Sequence, residues 1–350
     1  MVRMIARILH TKTCSSIMNS ITKKKKVYLT RNIIGPANSL LAAKYQVSFH
    51  NNIRPPTRLE LANAIRNMDG ILCTLSDKID KKMLEVAGPN LKVISSYSTG
   101  YDHIDVKEAT KRGIVVATTG DVLAETTADL TFALILAISR RIVEADKFVR
   151  RGAWKVGWMP DLLLGSDVHK STLGILGLGR IGQAVARRAK GFKMGVIYHN
   201  RHRLDASLES RLGVTYVGMN ELLRNSDFLT IHAGLNQDSF NILDKDEFGK
   251  MKKDAYLINT ARGGIVNEND LADALQKKQI RGAALDTYIH EPITKSNKLL
   301  RLSNLIVLPH IGSASFDTRT KMSRIAAQNL VNVLEGYGPV SSVNAGDISR

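Results

Sequence analysis

Short apolar runs alternate with amphipathic stretches along most of the chain. The apolar runs predict buried strands, and the stretches with apolar residues at helical spacing predict crossover helices between them. The first series of predicted strands covers residues 27–30, 47–49, 70–74, 93–95 and 114–117. The second series covers residues 173–176, 195–199, 228–232, 255–259, 282–285 and 305–307. This alternation is typical of parallel sheets with helices on their faces, so the expected fold class is α/β.

Helical periodicity predicts a long helix between the two series of strands. Apolar side chains recur on one side of residues 126–151, and we expect one continuous helix there. Shorter helices are predicted at residues 58–68, 81–87, 181–192 and 318–334. No period of the length that marks repeat arrays is present.

Length and composition are those of an ordinary globular protein of about two domains. The chain has 350 residues, of which 44% are hydrophobic and 23% charged. Its longest apolar run, near residues 132–138, is far shorter than a membrane span, so we expect no membrane association. Two cysteines, Cys14 and Cys73, are too few for a disulfide-stapled secreted scaffold, which favours a reducing compartment.

The formal net charge is +18, and part of it lies in a basic leader of residues 1–25. No acidic residue precedes Glu60, and the leader contains arginine, serine and threonine, as mitochondrial transit peptides do. A basic tail that is not a targeting signal has the same composition. The expected location is therefore the mitochondrial matrix or the cytoplasm. Excess positive charge suits an anionic substrate or nucleic acid, and we expect the former, with no nucleic-acid partner.

A glycine-rich turn follows the first strand of the second series. Gly177, Gly179 and Gly182 form G-x-G-x-x-G directly after an apolar run, and a helical pattern begins at Ile181. Arg180 and Ile181, between the last two glycines, are further candidate cofactor-binding residues. In such motifs the first glycine permits a tight turn, the second admits the pyrophosphate, and the third lets the helix pack closely on the strand. The amino end of the helix then faces the phosphates. The turn predicts a dinucleotide site.

The end of the next strand bears on the choice of dinucleotide. NAD-selective sites place an acidic residue there to bind the ribose 2′-hydroxyl, whereas this chain has Asn200, Arg201 and Arg203. An arginine side chain can bind a 2′-phosphate through two parallel hydrogen bonds. We therefore expect NADP(H) to be preferred, with NAD(H) possible. His199 and His202 lack a third ligand, so no metal site is expected.

Three later segments carry candidate catalytic side chains after predicted strands. Arg262 follows one strand, Asp286 and Glu291 follow the next, and His310 follows the last. The carboxyl ends of parallel strands line the ligand crevice of such sheets. An imidazole suits proton transfer near neutral pH, and an arginine suits binding of a carboxylate.

Five segments together resemble the D-isomer-specific 2-hydroxyacid dehydrogenases. They are residues 95–103, the turn at 174–182, the segment around Arg262, residues 286–292 and residues 309–313. The resemblance extends over residues 26–338.

This resemblance implies roles for individual residues. His310 matches the family's proton donor, Glu291 its carboxylate partner and Arg262 its substrate-orienting arginine. Backbone N–H groups at Thr99 and Gly100 match those that bind the substrate carboxylate. The further cofactor positions are Gly234, Thr260, Asp286 and Gly312, and the further substrate positions are Ser313 and Trp158. Gly234 stands where related enzymes often have serine.

The resemblance also implies a domain organisation and an assembly. Two Rossmann-like, doubly wound parallel-sheet domains are expected, with the nucleotide-binding domain inserted in the substrate-binding domain. The substrate-binding domain is expected at residues 26–125 and 317–345, and the NAD(P)-binding domain at 126–316. The family forms homodimers, so a homodimer is expected.

The reaction that the resemblance implies is the reduction of small 2-oxo acids, such as glyoxylate to glycolate and hydroxypyruvate to D-glycerate. The residues after the second strand of the second series favour NADPH as its reductant. An NAD-dependent enzyme like phosphoglycerate dehydrogenase and a dinucleotide-sensing scaffold like the related co-repressors are the alternatives. Asn200 and Arg201 suit the first alternative poorly, and the second is expected to have long low-complexity tails, which this sequence lacks.

Overall fold

The computed structural model describes residues 24–348, so the predicted leader lies outside the described residues except for its last two positions. The chain divides into two units. The first comprises residues up to Thr119 and again from Ser323, and the second comprises Gly120–Met322. The second unit is therefore inserted in the first along the chain.

The first unit contains a five-stranded parallel sheet in the order β2-β1-β3-β4-β5. Its strands are β1 (Lys26–Leu29), β2 (Gln46–Phe49), β3 (Gly70–Cys73), β4 (Val93–Ser96) and β5 (Val115–Ala117). The helices between them are α1 (Ala37–Ala42), α2 (Arg58–Ala64), α3 (Lys81–Ala87) and α4 (Val106–Lys111). Every residue of β3 and β4 is buried, as expected for inner strands covered on both faces.

The second unit contains a seven-stranded parallel sheet in the order β12-β11-β10-β9-β6-β7-β8. Its strands are β6 (Thr172–Leu176), β7 (Gly195–His199), β8 (Val214–Tyr216), β9 (Phe228–Ile231), β10 (Tyr256–Asn259), β11 (Gly282–Leu285) and β12 (Leu305–Val307). The expected α/β class with two parallel sheets is confirmed. The sequence pattern missed β8, a short edge strand of three residues.

Helices cover the sheet of the second unit. They are α5 (Ala124–Ser139), α6 (Ile142–Arg150), α7 (Arg180–Gly191), α8 (Ala206–Leu212), α9 (Met219–Asn225), α10 (Lys245–Lys250), α11 (Glu268–Gln276) and α12 (Phe316–Leu334), the last ending in the first unit. Two separate apolar clusters fill this unit, one including α5 and α7 and the other including α9 and α11. No helix within residues 24–348 is long and apolar enough to cross a membrane.

The prediction of one continuous helix over residues 126–151 is wrong. The helix is interrupted after Ser139, and Arg141 adopts a left-handed conformation with φ of 53° before α6 begins. A neighbouring loop comes so close that a Cβ on Gly165 would lie 2.2 Å from the Ser139 carbonyl oxygen. The amide of Ser166 donates to that same carbonyl at 2.9 Å, so the loop takes the place of the next helical turn.

Strand order reverses at β6 in the second unit. This strand pairs with β7 on one side and with β9 on the other, and all three are parallel. Connections leave β6 and β9 in opposite directions at such a point, and the crevice at their carboxyl ends is the usual ligand site of open α/β sheets. The glycine-rich turn follows β6 directly.

Candidate active site

The turn after β6 can be built only from glycine at two of its positions. Gly177 has φ of 96°, and a Cβ there would lie 2.5 Å from the Ala233 nitrogen. A Cβ on Gly182 would lie 2.5 Å from the Gly177 carbonyl oxygen. A Cβ on Gly179 would meet nothing within 4 Å, so its backbone faces open space. This is the cradle that a dinucleotide pyrophosphate requires.

Helix α7 begins at this turn. Gly179 is its N-cap, and no side chain caps the first amides. The amino end of a twelve-residue helix therefore presents N–H groups and a positive dipole beside the turn. Arg180 forms an ion pair with Asp121, and the side chain of Ile181 packs against the apolar core. The residues present fit the phosphates of a dinucleotide.

His232 follows β9 beside this turn and was missed in the sequence. Its backbone N–H donates to the Leu176 carbonyl at 2.8 Å. Both ring nitrogens are buried, and neither has a hydrogen-bond partner among residues 24–348. Burial lowers the pKa of His232 to about 3, so the ring is neutral at physiological pH. Its proximity to the turn depends on the β6–β9 pairing, which no local motif indicates.

The end of β7 holds the residues predicted to distinguish the dinucleotides. Asn200 Oδ1 accepts a hydrogen bond from the Leu178 N–H at 2.6 Å, which ties the strand end to the glycine turn. Arg201 forms an ion pair with Asp238 at 3.2 Å, with side chains 70% and 78% exposed. Exposed pairs of this kind contribute little free energy, so Arg201 can exchange this partner for a phosphate.

Arg203 is held differently from Arg201. Its guanidinium donates two hydrogen bonds to Glu209, at 2.9 and 2.7 Å. Glu209 also accepts from the Tyr198 hydroxyl at 2.6 Å. The Arg203 hydrogen bonds, followed by that of Tyr198, lower the pKa of Glu209 to about 2. The predicted role of Arg203 at the cofactor thus competes with a structural role that the sequence motif did not reveal.

Asp286 follows β11 and is completely buried. Its Oδ1 accepts from the Ile311 N–H and its Oδ2 from the Gly312 N–H, each at 2.7 Å. Burial raises the pKa of Asp286 above its usual value, while these amides and His310 act in the opposite direction. The carboxylate therefore fixes the loop that carries His310.

His310 and Glu291 form the closest pair of candidate catalytic groups. His310 Nδ1 lies 2.7 Å from Glu291 Oε2, and the other Glu291 oxygen accepts from the Tyr288 N–H at 3.0 Å. Burial raises the pKa of Glu291, but the hydrogen bond and charge of His310 outweigh it, and the pKa lies below its usual value. Glu291 is thus held as the carboxylate that orients the imidazole.

Arg262 lies beside this pair. It follows β10, and the Asn259 side chain donates to the Arg262 carbonyl at 2.9 Å. A Cβ on Gly263 would lie 1.9 Å from the Tyr288 carbonyl carbon, so the two loops touch backbone to backbone. Arg262 is close enough that its charge contributes to lowering the pKa of Glu291. The structure therefore brings Arg262, Glu291 and His310 together.

Two buried threonines of α5 support these loops from below. Thr127 Oγ1 donates to the Gly312 carbonyl at 3.1 Å, and Thr131 Oγ1 lies 3.0 Å from Thr260 Oγ1. The sequence pattern placed this helix but assigned neither threonine a role. Two hydroxyl residues four apart on an otherwise apolar helix face are the signal that would have found them.

The remaining predicted site residues are distributed over both units of the chain. Thr99 and Gly100 belong to the first unit, in the loop after β4. Gly234 is exposed, Ser313 is half-buried, and the Trp158 side chain is 86% exposed. No group of three or more His, Cys, Asp or Glu within residues 24–348 could hold a metal ion.

Known proteins of similar sequence and structure share this architecture. A family model for the NAD-binding domain of D-isomer-specific 2-hydroxyacid dehydrogenases matches residues 132–312. A glyoxylate reductase from Thermococcus litoralis is 44% identical over 324 residues, which are 92% of this chain and 97% of that protein.

Two solved structures are similar as well. The TT0316 protein from Thermus thermophilus has a TM-score of 0.84 and 40% identity, over 91% of this chain and 99% of that one. An NADPH-dependent glyoxylate/hydroxypyruvate reductase from Sinorhizobium meliloti, in complex with NADP and malonate, has a TM-score of 0.83 and 29% identity, over 93% and 99%.

Fold and site define an oxidoreductase that uses a nicotinamide dinucleotide. The chain belongs to the D-isomer-specific 2-hydroxyacid dehydrogenase family. The resemblance drawn from the sequence motifs is thereby confirmed, as is a dinucleotide cofactor.

Replacing Asp286 by Asn should loosen the His310 loop. An amide offers one acceptor oxygen, and its NH₂ group would face one of the two backbone N–H donors. We expect the free energy of unfolding to fall by about 1–3 kcal/mol, the cost of leaving a buried donor unsatisfied. Hydrogen exchange should accelerate at the amides of Ile311 and Gly312 and stay unchanged in β6. Unchanged exchange at both amides would contradict the assigned role.

Proposed function

We propose that this enzyme reduces small 2-oxo acids, glyoxylate to glycolate and hydroxypyruvate to D-glycerate, with NADPH as the preferred reductant. The observation that carries the proposal is the His310–Glu291 pair at 2.7 Å, with Arg262 beside it. All three follow strands of the sheet that carries the dinucleotide turn. The names of the similar reductases support the same substrate class.

We assign a task to each of the three side chains. Arg262 can bind the substrate carboxylate and polarise the adjacent carbonyl. Glu291 engages His310 through Nδ1. We therefore assign Nε2 as the ring nitrogen that meets the reacting oxygen. That nitrogen gives its proton to the carbonyl oxygen as C2 is reduced to an alcohol. Glu291 stabilises the charged imidazolium before transfer and keeps the ring oriented. We assign part of the carboxylate binding to the turn of Thr99 and Gly100.

When bound, the dinucleotide supplies the hydride that C2 receives. Gly177 and Gly179 would hold its pyrophosphate beside the amino end of α7. The preference for NADPH is supported by the absence of a carboxylate at Asn200 and by the exposed guanidinium of Arg201. An acidic side chain at that strand end would repel a 2′-phosphate.

Replacing His310 by Asn should abolish most of the reductase activity. Asparagine stays polar but cannot transfer a proton, and general acid catalysis contributes about 10²–10⁴-fold to the rate. The measurement is NADPH oxidation with glyoxylate and with hydroxypyruvate, alongside fluorescence titration of NADPH binding. Binding should persist while kcat falls. A folded variant with near-normal kcat at neutral pH would exclude His310 as the proton donor.

Replacing Arg201 by Ala should weaken selection of NADPH over NADH. A hydrogen bond to a charged group contributes roughly 1.5–3 kcal/mol, which corresponds to about tenfold or more in affinity. We expect the NADPH/NADH ratio of kcat/KM to fall by that factor.

Arg203 provides the matched control for this experiment. Because its guanidinium is held by Glu209, Arg203→Ala should lower the melting temperature and change the cofactor ratio much less than Arg201→Ala does. Equal cofactor ratios in the wild type and Arg201→Ala would contradict recognition of the 2′-phosphate by this residue.

We further propose that the enzyme is a homodimer assembled through the α6 surface. This surface consists of exposed apolar side chains of α6 and the loop after it, namely Ile142, Val143, Val149, Trp154, Val156, Trp158 and Leu164. Exposed apolar groups concentrated in one segment mark an interaction site rather than ordinary surface. Trp158 would then contact the partner subunit, where its ring can limit the size of the substrate.

Substituting a charge into the α6 surface should separate the subunits. Analytical ultracentrifugation should give the wild type twice the 38.6 kDa mass of one chain, and Val149→Asp should shift it towards the monomer. Leu59→Asp, on an exposed apolar residue of α2, should leave the dimer intact. A monomeric wild type at micromolar concentration would refute this assembly.

A further inference from the structure

A chain of hydrogen bonds lies beneath the turn after β4 in the first unit. Ser98 Oγ donates to the Gly100 carbonyl at 2.6 Å, and Ser96 Oγ lies 2.6 Å from Ser98 Oγ. His103 Nε2 lies 3.2 Å from Ser96 Oγ. Both serines are buried, with exposures of 0% and 3%, so solvent cannot replace these bonds.

The direction of this chain follows from counting protons. Each hydroxyl carries one proton, and a carbonyl oxygen can only accept. Ser98 gives its proton to Gly100, so Ser96 must donate to Ser98. The Ser96 oxygen then has only acceptor capacity left for the imidazole. His103 therefore carries its proton on Nε2.

A neighbouring thiol does not disturb this assignment. Cys73 Sγ lies 3.8 Å from His103 Nε2 and is completely buried. Burial raises the pKa of the Cys73 thiol, so it stays neutral and is a weak acceptor beside the Ser96 hydroxyl.

We propose that His103 is a positioning residue whose Nε2–H holds Ser96 and, through it, the turn that binds the substrate carboxylate. The inference rests on the proposed function, in which Thr99 and Gly100 contact that carboxylate. Glycine has the most backbone freedom of any residue, and the last hydrogen bond of this series is accepted by the Gly100 carbonyl. Fixing that carbonyl reduces the ordering that substrate binding would otherwise require.

The turn is also held at its base by the backbone. The Tyr97 N–H donates to the Cys73 carbonyl at 2.8 Å, and the Ser98 carbonyl accepts from Thr119 at 2.9 Å. These bonds fix where the turn begins but do not involve Gly100. The hydrogen bonds among His103, Ser96 and Ser98 extend this restraint to Gly100, which is predicted to meet the substrate.

Two neighbouring buried serines allow a matched test. Ser96→Ala interrupts the row of hydrogen bonds from His103 to Gly100. Ser95→Ala removes a hydroxyl outside that row, which donates to the Ala326 carbonyl at 2.9 Å. We expect Ser96→Ala to raise KM for glyoxylate roughly three- to tenfold, the effect of one hydrogen bond, with kcat changed less and NADPH affinity unchanged. Ser95→Ala should leave KM within about twofold of the wild type on the same scale. Equal KM values in the two variants would overturn the proposal.

Variants of His103 separate positioning from simple packing. His103→Gln keeps an N–H donor and should retain a KM near that of the wild type, whereas His103→Leu fills space without a donor and should match Ser96→Ala. If Gln and Leu raise KM equally, while both variants are folded by circular dichroism, the donor role is excluded.

The tautomer can be measured without substrate. Nitrogen-15 NMR of the histidine rings, assigned by comparison with His103→Gln, should show Nε2 protonated in the wild type. A bare Nε2 would overturn the chain as described. A wild type that reduces no 2-oxo acid would instead overturn the proposed function, and the NMR result would still decide the direction of the chain.

Discussion

The candidate active site depends on one buried carboxylate. Asp286 accepts hydrogen bonds from the backbone N–H groups of Ile311 and Gly312, and it is completely buried. Burying an ionised carboxylate is costly unless hydrogen bonds compensate for it. Here the compensation comes from the loop that carries His310. His310 itself has a left-handed φ of 56°. The hydrogen bonds to Asp286 therefore stabilise the left-handed conformation of His310, and the same bonds offset the cost of burying the carboxylate.

Close backbone contacts hold the loops that carry the candidate catalytic residues. Gly263 lets the loop after β10 touch the backbone at Tyr288, and Gly177 lets the turn after β6 touch the backbone at Ala233. A Cβ at either position would lie within 2.5 Å of a backbone atom of the other loop, so any other residue would force the two loops apart. The second unit thus places Arg262 by the same kind of close glycine contact that shapes its dinucleotide turn.

Sequence patterns predicted what is local and missed what depends on packing. Eleven of the twelve strands within residues 24–348 were placed within one or two residues, since short aliphatic runs bounded by turns are a local property. The break near Arg141 was missed because apolar periodicity continues across it. What ends the helix is contact with the loop at Gly165 and Ser166, which is distant in sequence. The support from Thr127 and Thr131 was missed for a similar reason, since their partners come from other strands' loops.

The two arginines after β7 show why residue type alone does not define a binding site. Arg201 and Arg203 carry the same charge, two positions apart, yet their partners differ in burial: Asp238 is largely exposed, and Glu209 is nearly buried between Arg203 and Tyr198. Moving Arg203 to a phosphate would leave Glu209 without its main partner in a poorly hydrated position, which is costly. Moving Arg201 would return Asp238 to water at little cost. The proposed selectivity for a 2′-phosphate therefore depends on which arginine can give up its present partner. That property is set by the hydrogen bonds that hold Glu209 of α8 to Arg203 and Tyr198, rather than by the excess of positive charge in the sequence.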